Sequence, residues 1–362
     1  MSLVRIRRGI PRFARKLEAG EPVTIVAYGT SMTLHSRCGR RLGGWYLERL
    51  VDAVHERWGD ADLRLINSGL EGFTTWWAAH RVRTDVLPHR PDLVLLEFAH
   101  NDEGKFVPAI PVAIDGIVAQ IREDLPECEI ALVILQPAGE ARNGPSEAML
   151  AHERAADVYG FPSFDLATHA ERLVEEGRAT WNGDPATSLT FDGIHHAALS
   201  GELLGQPFAD AFVELVRGSL RMTESPQVPS RSSPASRAHR FSLRPFLEGG
   251  WAIGPATEEI YCKRNIAAFV DEIAAAGSPG PRLHLSFTGT VAQVFALGIG
   301  GAVRIVADGV ETYGRLSSSE PPQWTLVNLA ADVSDARHDV ELTVLEAPLV
   351  LGDLFVVGRL AT

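Results

Sequence analysis

The sequence predicts a three-layer α/β/α unit on a five-stranded parallel sheet, followed by a C-terminal antiparallel β-sandwich. Three observations carry this. Short, almost continuously apolar runs alternate with helix-period segments over residues 1–218. A Ser- and Pro-rich stretch then breaks the pattern at 223–236. Beyond it, apolar and polar residues alternate as they do in half-buried strands. At 362 residues the chain is long enough for each part to bury its own core.

The strands of the first part are expected at Val23–Ala27, Leu63–Ile66, Asp92–Phe98 and Ile130–Leu135, with a weaker fifth at Pro162–Asp165. Runs apolar on both faces suit central strands covered above and below. Helices are expected between them. Leu42, Tyr46, Leu50, Val54 and Trp58 recur at every fourth position. Further helices are expected near 75–87, 111–124, 146–158, 168–176 and 197–217. The domain division expected is 1–220, a linker over 221–239, and 240–362. In the last part, strand patterns run through Leu283–Phe287, Val291–Phe295, Val303–Ala307, Trp324–Leu329, Val340–Val344 and Leu354–Val357, with Asp308-Gly309 as a turn signal. A helix is expected to interrupt them from about Asn265 to Ala276.

Bulk properties narrow the function. The net charge of −12 argues against nucleic acid or an anionic membrane as the main partner, since both need a basic face. Cys38, Cys128 and Cys262 are too few and too scattered for a disulfide framework. No stretch approaches the roughly 18 apolar residues that span a bilayer. Arg5, Arg7 and Arg8 are not followed by the apolar segment of a signal peptide. The expectation is a cytoplasmic protein, unless a leader before this start has been removed.

Four short motifs carry the chemistry: Gly29-Thr30-Ser31, Asn67 through Gly72, His100-Asn101-Asp102 and Asp192-Gly193-Ile194-His195. In an α/β sheet, sites form at the carboxyl ends of strands, where the first three motifs fall. Ser31 offers a hydroxyl that is a poor nucleophile until a base takes its proton. His195 is the base expected, and Asp192, three residues earlier, can fix its tautomer. The N–H groups of Ser31 and Gly72 and the side-chain amide of Asn101 can receive the negative charge that develops on an attacked carbonyl oxygen. Read singly, Ser31 is a helix N-cap, Gly72 a turn glycine and Asn101 an Asx turn. Together and in this order, they point to a serine hydrolase acting on acyl esters.

The arrangement resembles the SGNH, or GDSL-like, hydrolases, a family of esterases and lipases named for a Ser, a Gly, an Asn and a His in four blocks. The resemblance implies Ser31 as nucleophile, Gly72 and Asn101 as oxyanion donors beside the Ser31 N–H, His195 as base and Asp192 as its partner. It covers about 30–217. Two positions depart from the family pattern: Thr30 stands where Asp is usual, and Ala99-His100 where Gly-Gly is usual. Thr30, Phe73 and His100 are expected to contact substrate. The C-terminal part is similar to jelly-roll modules attached to some carbohydrate esterases of this family. No cofactor is expected, and no metal, because His196 with Asp192 and Asp184 nearby fits no ligand spacing.

The resulting expectation is an esterase that forms an acyl-enzyme on Ser31 and hydrolyses O-acyl, most simply acetyl, esters of a carbohydrate. Its partner is then a small-molecule or glycan ester, with homo-oligomerisation open. Transfer of the acyl group to a sugar hydroxyl, a lipase or thioesterase activity, and a non-catalytic glycan-binding protein are the alternatives.

Overall fold

The structure, a computed structural model, describes residues 3–34, 45–59, 61–102, 107–136, 144–223, 228–255, 272–318 and 324–361. It divides into two compact units. One comprises Met1–Ala78 and Val82–Arg231, the other Ala79–Arg81 and Ser232–Thr362.

Six strands form the sheet of the first unit: β1 (Val4–Arg5), β2 (Val23–Gly29), β3 (Leu63–Asn67), β4 (Leu93–Glu97), β5 (Glu129–Ile134) and β6 (Ser163–Asp165). They lie in the order β1-β6-β5-β4-β2-β3. The five expected strands, β2 to β6, pair in parallel. The sheet also has an edge strand that was not expected: β1 runs antiparallel to β6, with Val4 opposite Phe164. Two residues carry no periodicity that a sequence pattern can reveal. What holds this edge is Arg7, bonded to Asp157 (2.8 Å), Ser163 Oγ (2.7 Å) and the Phe161 carbonyl (3.0 Å).

Alternate residues of each strand feed opposite layers. Val23, Ile25 and Ala27 of β2 share a core with Phe13 of α1 (Pro11–Glu18), Leu50 of α3 (Tyr46–Trp58) and Phe212. Between α1 and α3 lies the single turn α2 (Ser31–Leu34). Facing the other layer, the Tyr28 hydroxyl donates to the Ala78 carbonyl at 2.6 Å. The expected 75–87 helix is broken into α4 (Thr75–Ala79) and α5 (Val82–Asp85). After β4 come α6 (Ala99–Asp102) and α7 (Ala109–Asp124), then α8 (Glu147–Tyr159) and α9 (Leu166–Glu175). The chain closes this unit with α10 (Ala198–Ser200), a π-turn and α11 (Gln206–Leu220), to which Phe212 belongs.

Because β2 lies between β3 and β4, the chain leaves it in opposite directions on its two sides. That switch point falls at the carboxyl ends of β2 and β4, the usual place for a ligand in an open α/β sheet.

In the second unit every strand pairing is antiparallel. The strands are β7 (Ala238–Phe241), β8 (Leu247–Glu248), β9 (Ala252–Pro255), β10 (Glu272–Ala276), β11 (Arg282–Leu297), β12 (Ala302–Ala307), β13 (Val310–Arg315), β14 (Trp324–Ala330), β15 (Ala336–Glu346) and β16 (Leu349–Leu360). The long strand β11 pairs with β15 through its first half, with β14 through its second, and with β16 along most of its length. Leu283, Leu285, Phe287, Val294, Leu342, Leu354 and Val356 share one core. The helix expected to end at Ala276 is corrected in part. Glu272–Ala276 is a strand held by β9 and β16, and residues 265–271 lie outside the described residues. Among the described residues, no helix is long and apolar enough to cross a membrane.

Candidate active site

Ser31 opens α2 directly after β2, so its backbone N–H lies in a first helical turn and needs no partner within the helix. Its hydroxyl oxygen is 3.0 Å from His195 Nε2. The opposite ring nitrogen, Nδ1, is 2.8 Å from Asp192 Oδ2. The second carboxylate oxygen of Asp192 accepts the N–H groups of Ile194 (3.0 Å) and His195 (2.7 Å). Burial alone would raise the Asp192 pKa. The N–H and ring of His195, with the Ile194 N–H, outweigh it and hold this carboxyl below its ordinary range. The four-residue segment is thus folded on its own aspartate, an Asx turn that aims the imidazole.

The ring of Phe191, half exposed, stacks on that of His195 with centroids 5.8 Å apart. His196 turns elsewhere: its Nδ1 is 3.1 Å from Ser200 Oγ, and its ring lies 4.3 Å from that of Trp45. Trp45 in turn donates from Nε1 to the Met32 carbonyl at 2.7 Å, pinning the residue after Ser31.

Backbone bonds fasten the second motif to the first. Ser68 N–H donates to the Ala27 carbonyl (2.8 Å) and Leu70 N–H to the Gly29 carbonyl (2.9 Å). Asn67 Nδ2 reaches the Thr33 carbonyl at 2.9 Å while its Oδ1 accepts the Gly69 N–H. A Cβ on Gly69 would sit 2.4 Å from Leu34 N, so only glycine permits this approach. Gly72 follows with φ +75, in the left-handed region.

The third motif is fastened to the second. Asn101 Nδ2 donates to the Phe73 carbonyl at 2.9 Å, which orients the amide and leaves its second N–H for another acceptor. Asp102, buried, accepts the Thr75 N–H at 2.9 Å and the Thr75 hydroxyl, and lies 2.8 Å from Nε2 of the buried His152.

Two of the expected substrate contacts are corrected. Phe73 is 1% exposed and packs edge-on against Trp77, so it occupies a core position. Thr30 is fully buried, and its N–H and hydroxyl both bind Glu97. His100 is buried too, and burial, with repulsion from His195, pushes its pKa down to about 4. Its ring is therefore neutral, bonded to the Gln136 backbone, and its Nδ1 has no partner among the described residues.

Sequence reasoning missed Glu97, the Asp102–His152–Thr75 cluster and Trp45. Glu97 had a signal: a carboxylate inside the apolar run Leu93–Phe98 is costly unless it is bonded.

This geometry can relay a proton from Ser31 to His195 while Asp192 balances the charge on the ring. Residues 25–198 match the model of the GDSL-like lipase/acylhydrolase family. No curated protein is significantly similar to the chain in sequence.

Among solved structures, the chain resembles a two-domain esterase (CEX) active on acetylated mannans, co-crystallised with mannopentaose. The identity is 18%, the alignment covers 99% of both chains, and the TM-score is 0.78. A second structure of a two-domain esterase (CEX) active on acetylated mannans matches at 18% identity and TM-score 0.76, over 99% of this chain and 100% of that one. Axe2, an acetylxylan esterase from Geobacillus stearothermophilus, is 16% identical over 55% of this chain and 96% of its own, with a TM-score of 0.41. The two-domain likeness shows that both units share their fold with that protein. The match over residues 25–198 identifies the first unit as a carboxylic ester hydrolase similar to the GDSL-like lipase/acylhydrolase family.

Proposed function

We propose that this chain is a serine esterase that removes O-acetyl groups from a carbohydrate through an acyl-enzyme on Ser31. The observation that carries the reading is the continuous relay from Asp192 Oδ2 through the His195 ring to Ser31 Oγ, at 2.8 and 3.0 Å. His195 Nε2 takes the hydroxyl proton as Ser31 Oγ attacks the ester carbonyl. The resulting oxyanion is received by the N–H groups of Ser31 and Gly72 and the second N–H of Asn101, worth roughly 10²–10³ in rate for each donor. Collapse expels the sugar hydroxyl, which takes its proton from His195. Water then attacks the acetyl-Ser31 carbonyl, giving its proton to the same nitrogen, and Ser31 leaves as the free hydroxyl. No cofactor enters these steps.

The acetylated-carbohydrate substrate rests on the likeness, across 99% of both chains, to an esterase described as active on acetylated mannans. In the test, Ser31→Ala is expected to lose p-nitrophenyl acetate turnover by roughly 10³-fold or more with the melting curve unchanged. Undiminished turnover would remove Ser31 from the mechanism. An ester series from acetyl to decanoyl, followed by acetylated oligosaccharides, tests the substrate. A steep loss beyond propionyl is expected, and a preference for long chains would overturn the acetyl reading.

A further inference from the structure

Beneath the Ser31 turn lies a carboxyl group that the relay does not use. Glu97 ends β4, opposite Gly29 of β2 in the ladder, and is fully buried. Its Oε2 accepts three hydrogen bonds: from the Thr30 N–H (3.1 Å), the Thr30 hydroxyl (2.7 Å) and the Thr33 hydroxyl (2.9 Å). Its Oε1 has no partner among the described residues.

The donors extend outward in one consistent direction. Thr30 Oγ1, having given its proton to Glu97, accepts the Met32 N–H at 3.1 Å. Thr33 Oγ1, likewise committed, lies 2.9 Å from the Tyr46 hydroxyl, which must then donate. Residues 30, 32 and 33, on both sides of Ser31, are therefore tied to a single oxygen atom. Gly29 makes room for this: a Cβ there would stand 2.0 Å from Thr33 Oγ1.

Three donors on one oxygen suit a carboxylate that carries no proton at that atom. Protonation has no harmless place to go. On Oε2 the new hydrogen displaces one of the donors, and on Oε1 it is buried without an acceptor. Among the described residues, the groups facing Glu97 provide no cation. They are Thr30 and Thr33 beside and within α2, Tyr46 on α3, itself held well above its usual range by burial and by Glu97, and Gly29 on β2. β5 flanks this end of β4 with the apolar residues Leu132 and Val133.

We propose that ionised Glu97 is a positioning residue for the nucleophile, and that its protonation reversibly disables the Ser31 turn. The inference rests on the reading of Ser31 as the nucleophile. Burial raises the Glu97 pKa to about 7, against the pull of the Thr30 and Thr33 bonds, so the switch falls near neutral pH.

The experiment is the pH dependence of kcat/KM for p-nitrophenyl acetate on the full chain, with fluorophosphonate labelling of Ser31 alongside. In the unmodified protein the acid limb is expected to approach slope 2, one ionisation for His195 and one for Glu97. Glu97→Gln is expected to lower kcat between roughly 10- and 100-fold, leave KM nearly unchanged, and reduce the acid limb to slope 1. Should that variant fail to fold, Thr33→Val replaces it. Losing one donor raises the Glu97 pKa further, so the limb should move to higher pH, which a merely structural role would not produce. Labelling at Ser31 together with slope 1 in the unmodified protein, or with a limb unmoved by either substitution, would overturn the role of Glu97 alone. Full turnover in Ser31→Ala would instead sink the nucleophile reading beneath it.

Discussion

Each unit contains an Asp–His pair in which the carboxylate faces Nδ1, and these two pairs differ in what the far side of the imidazole meets. In the first unit, Asp192 holds His195 Nδ1, and Nε2 faces the Ser31 hydroxyl, a group that can give or accept a proton. In the second, Asp308 Oδ2 lies 2.5 Å from His338 Nδ1, and Nε2 faces the Ser334 carbonyl at 2.7 Å. A carbonyl only accepts, so both nitrogens of His338 carry hydrogens and the ring is held as a cation. The bond to Asp308 raises the His338 pKa against the effect of burial, with the Ser334 carbonyl assisting. Asp308 is correspondingly lowered by His338 and by the Asp339 N–H. The same two residue types favour proton transfer in one place and a fixed charge pair in the other, and the third partner decides which.

The largest effect that would break this contrast is expected at His195. His195→Ala should reduce turnover of p-nitrophenyl acetate by roughly 10³-fold or more, since among the described residues it is His195 that bonds the Ser31 hydroxyl. Turnover within tenfold of the unmodified protein would put the two pairs on the same footing. Asp192→Asn is expected to cost roughly 10²- to 10⁴-fold, because an amide can present an N–H to Nδ1 and turn the ring to the wrong tautomer. An unchanged rate there would mean that the Asx turn alone aims His195.

A smaller loss is expected from Asp102→Asn. Asp102 joins the turn after Gly72 to the segment carrying Asn101 through Thr75 and His152, so loosening it should displace the oxyanion donors. The predicted fall in kcat is roughly 10- to 100-fold, with little change in KM. A pure KM effect would argue that the cluster shapes binding instead.

The smallest effect belongs to the second unit. His338→Gln should leave turnover alone and change only how stability responds to pH. A histidine whose folded pKa is raised above its usual 6.5 contributes its full stabilisation below that value and loses it as pH rises through the raised one. Hydrogen exchange of β12 and β15 amides should therefore quicken, beyond the intrinsic rise, as pH is taken upward from about 6. The glutamine variant should show no such loss. An identical response in both proteins would mean that the pair is not ionised as described.

Much of this was readable in the residues because the signals were local and redundant. β2, β4 and β5 are apolar on both faces, and all five residues of the proposed relay and oxyanion cradle lie beside glycine, asparagine or aspartate turn signals. What escaped depended on distant partners. Glu272–Ala276 reads as helix on alanine propensity, yet the ladders of β9 and β16 on either side make it a strand. Phe73 and Thr30 sit among motif residues, but whether a side chain faces a cleft or a core is set by neighbours far along the chain. Glu97 is the instructive miss. A charge within an apolar strand announces that something must bind it, though not that the binders flank Ser31.

The segment from Asp192 to His195 has a consequence for engineering. Carboxylate and imidazole are four residues long as a piece, and their mutual orientation is encoded within that piece by bonds to Asp192 Oδ1 and Oδ2. Such a cassette can be grafted onto a different scaffold as one part, needing only a host loop that delivers Nε2 to an existing hydroxyl. Designers of new hydrolases can then treat placement as one rigid-body problem in place of two.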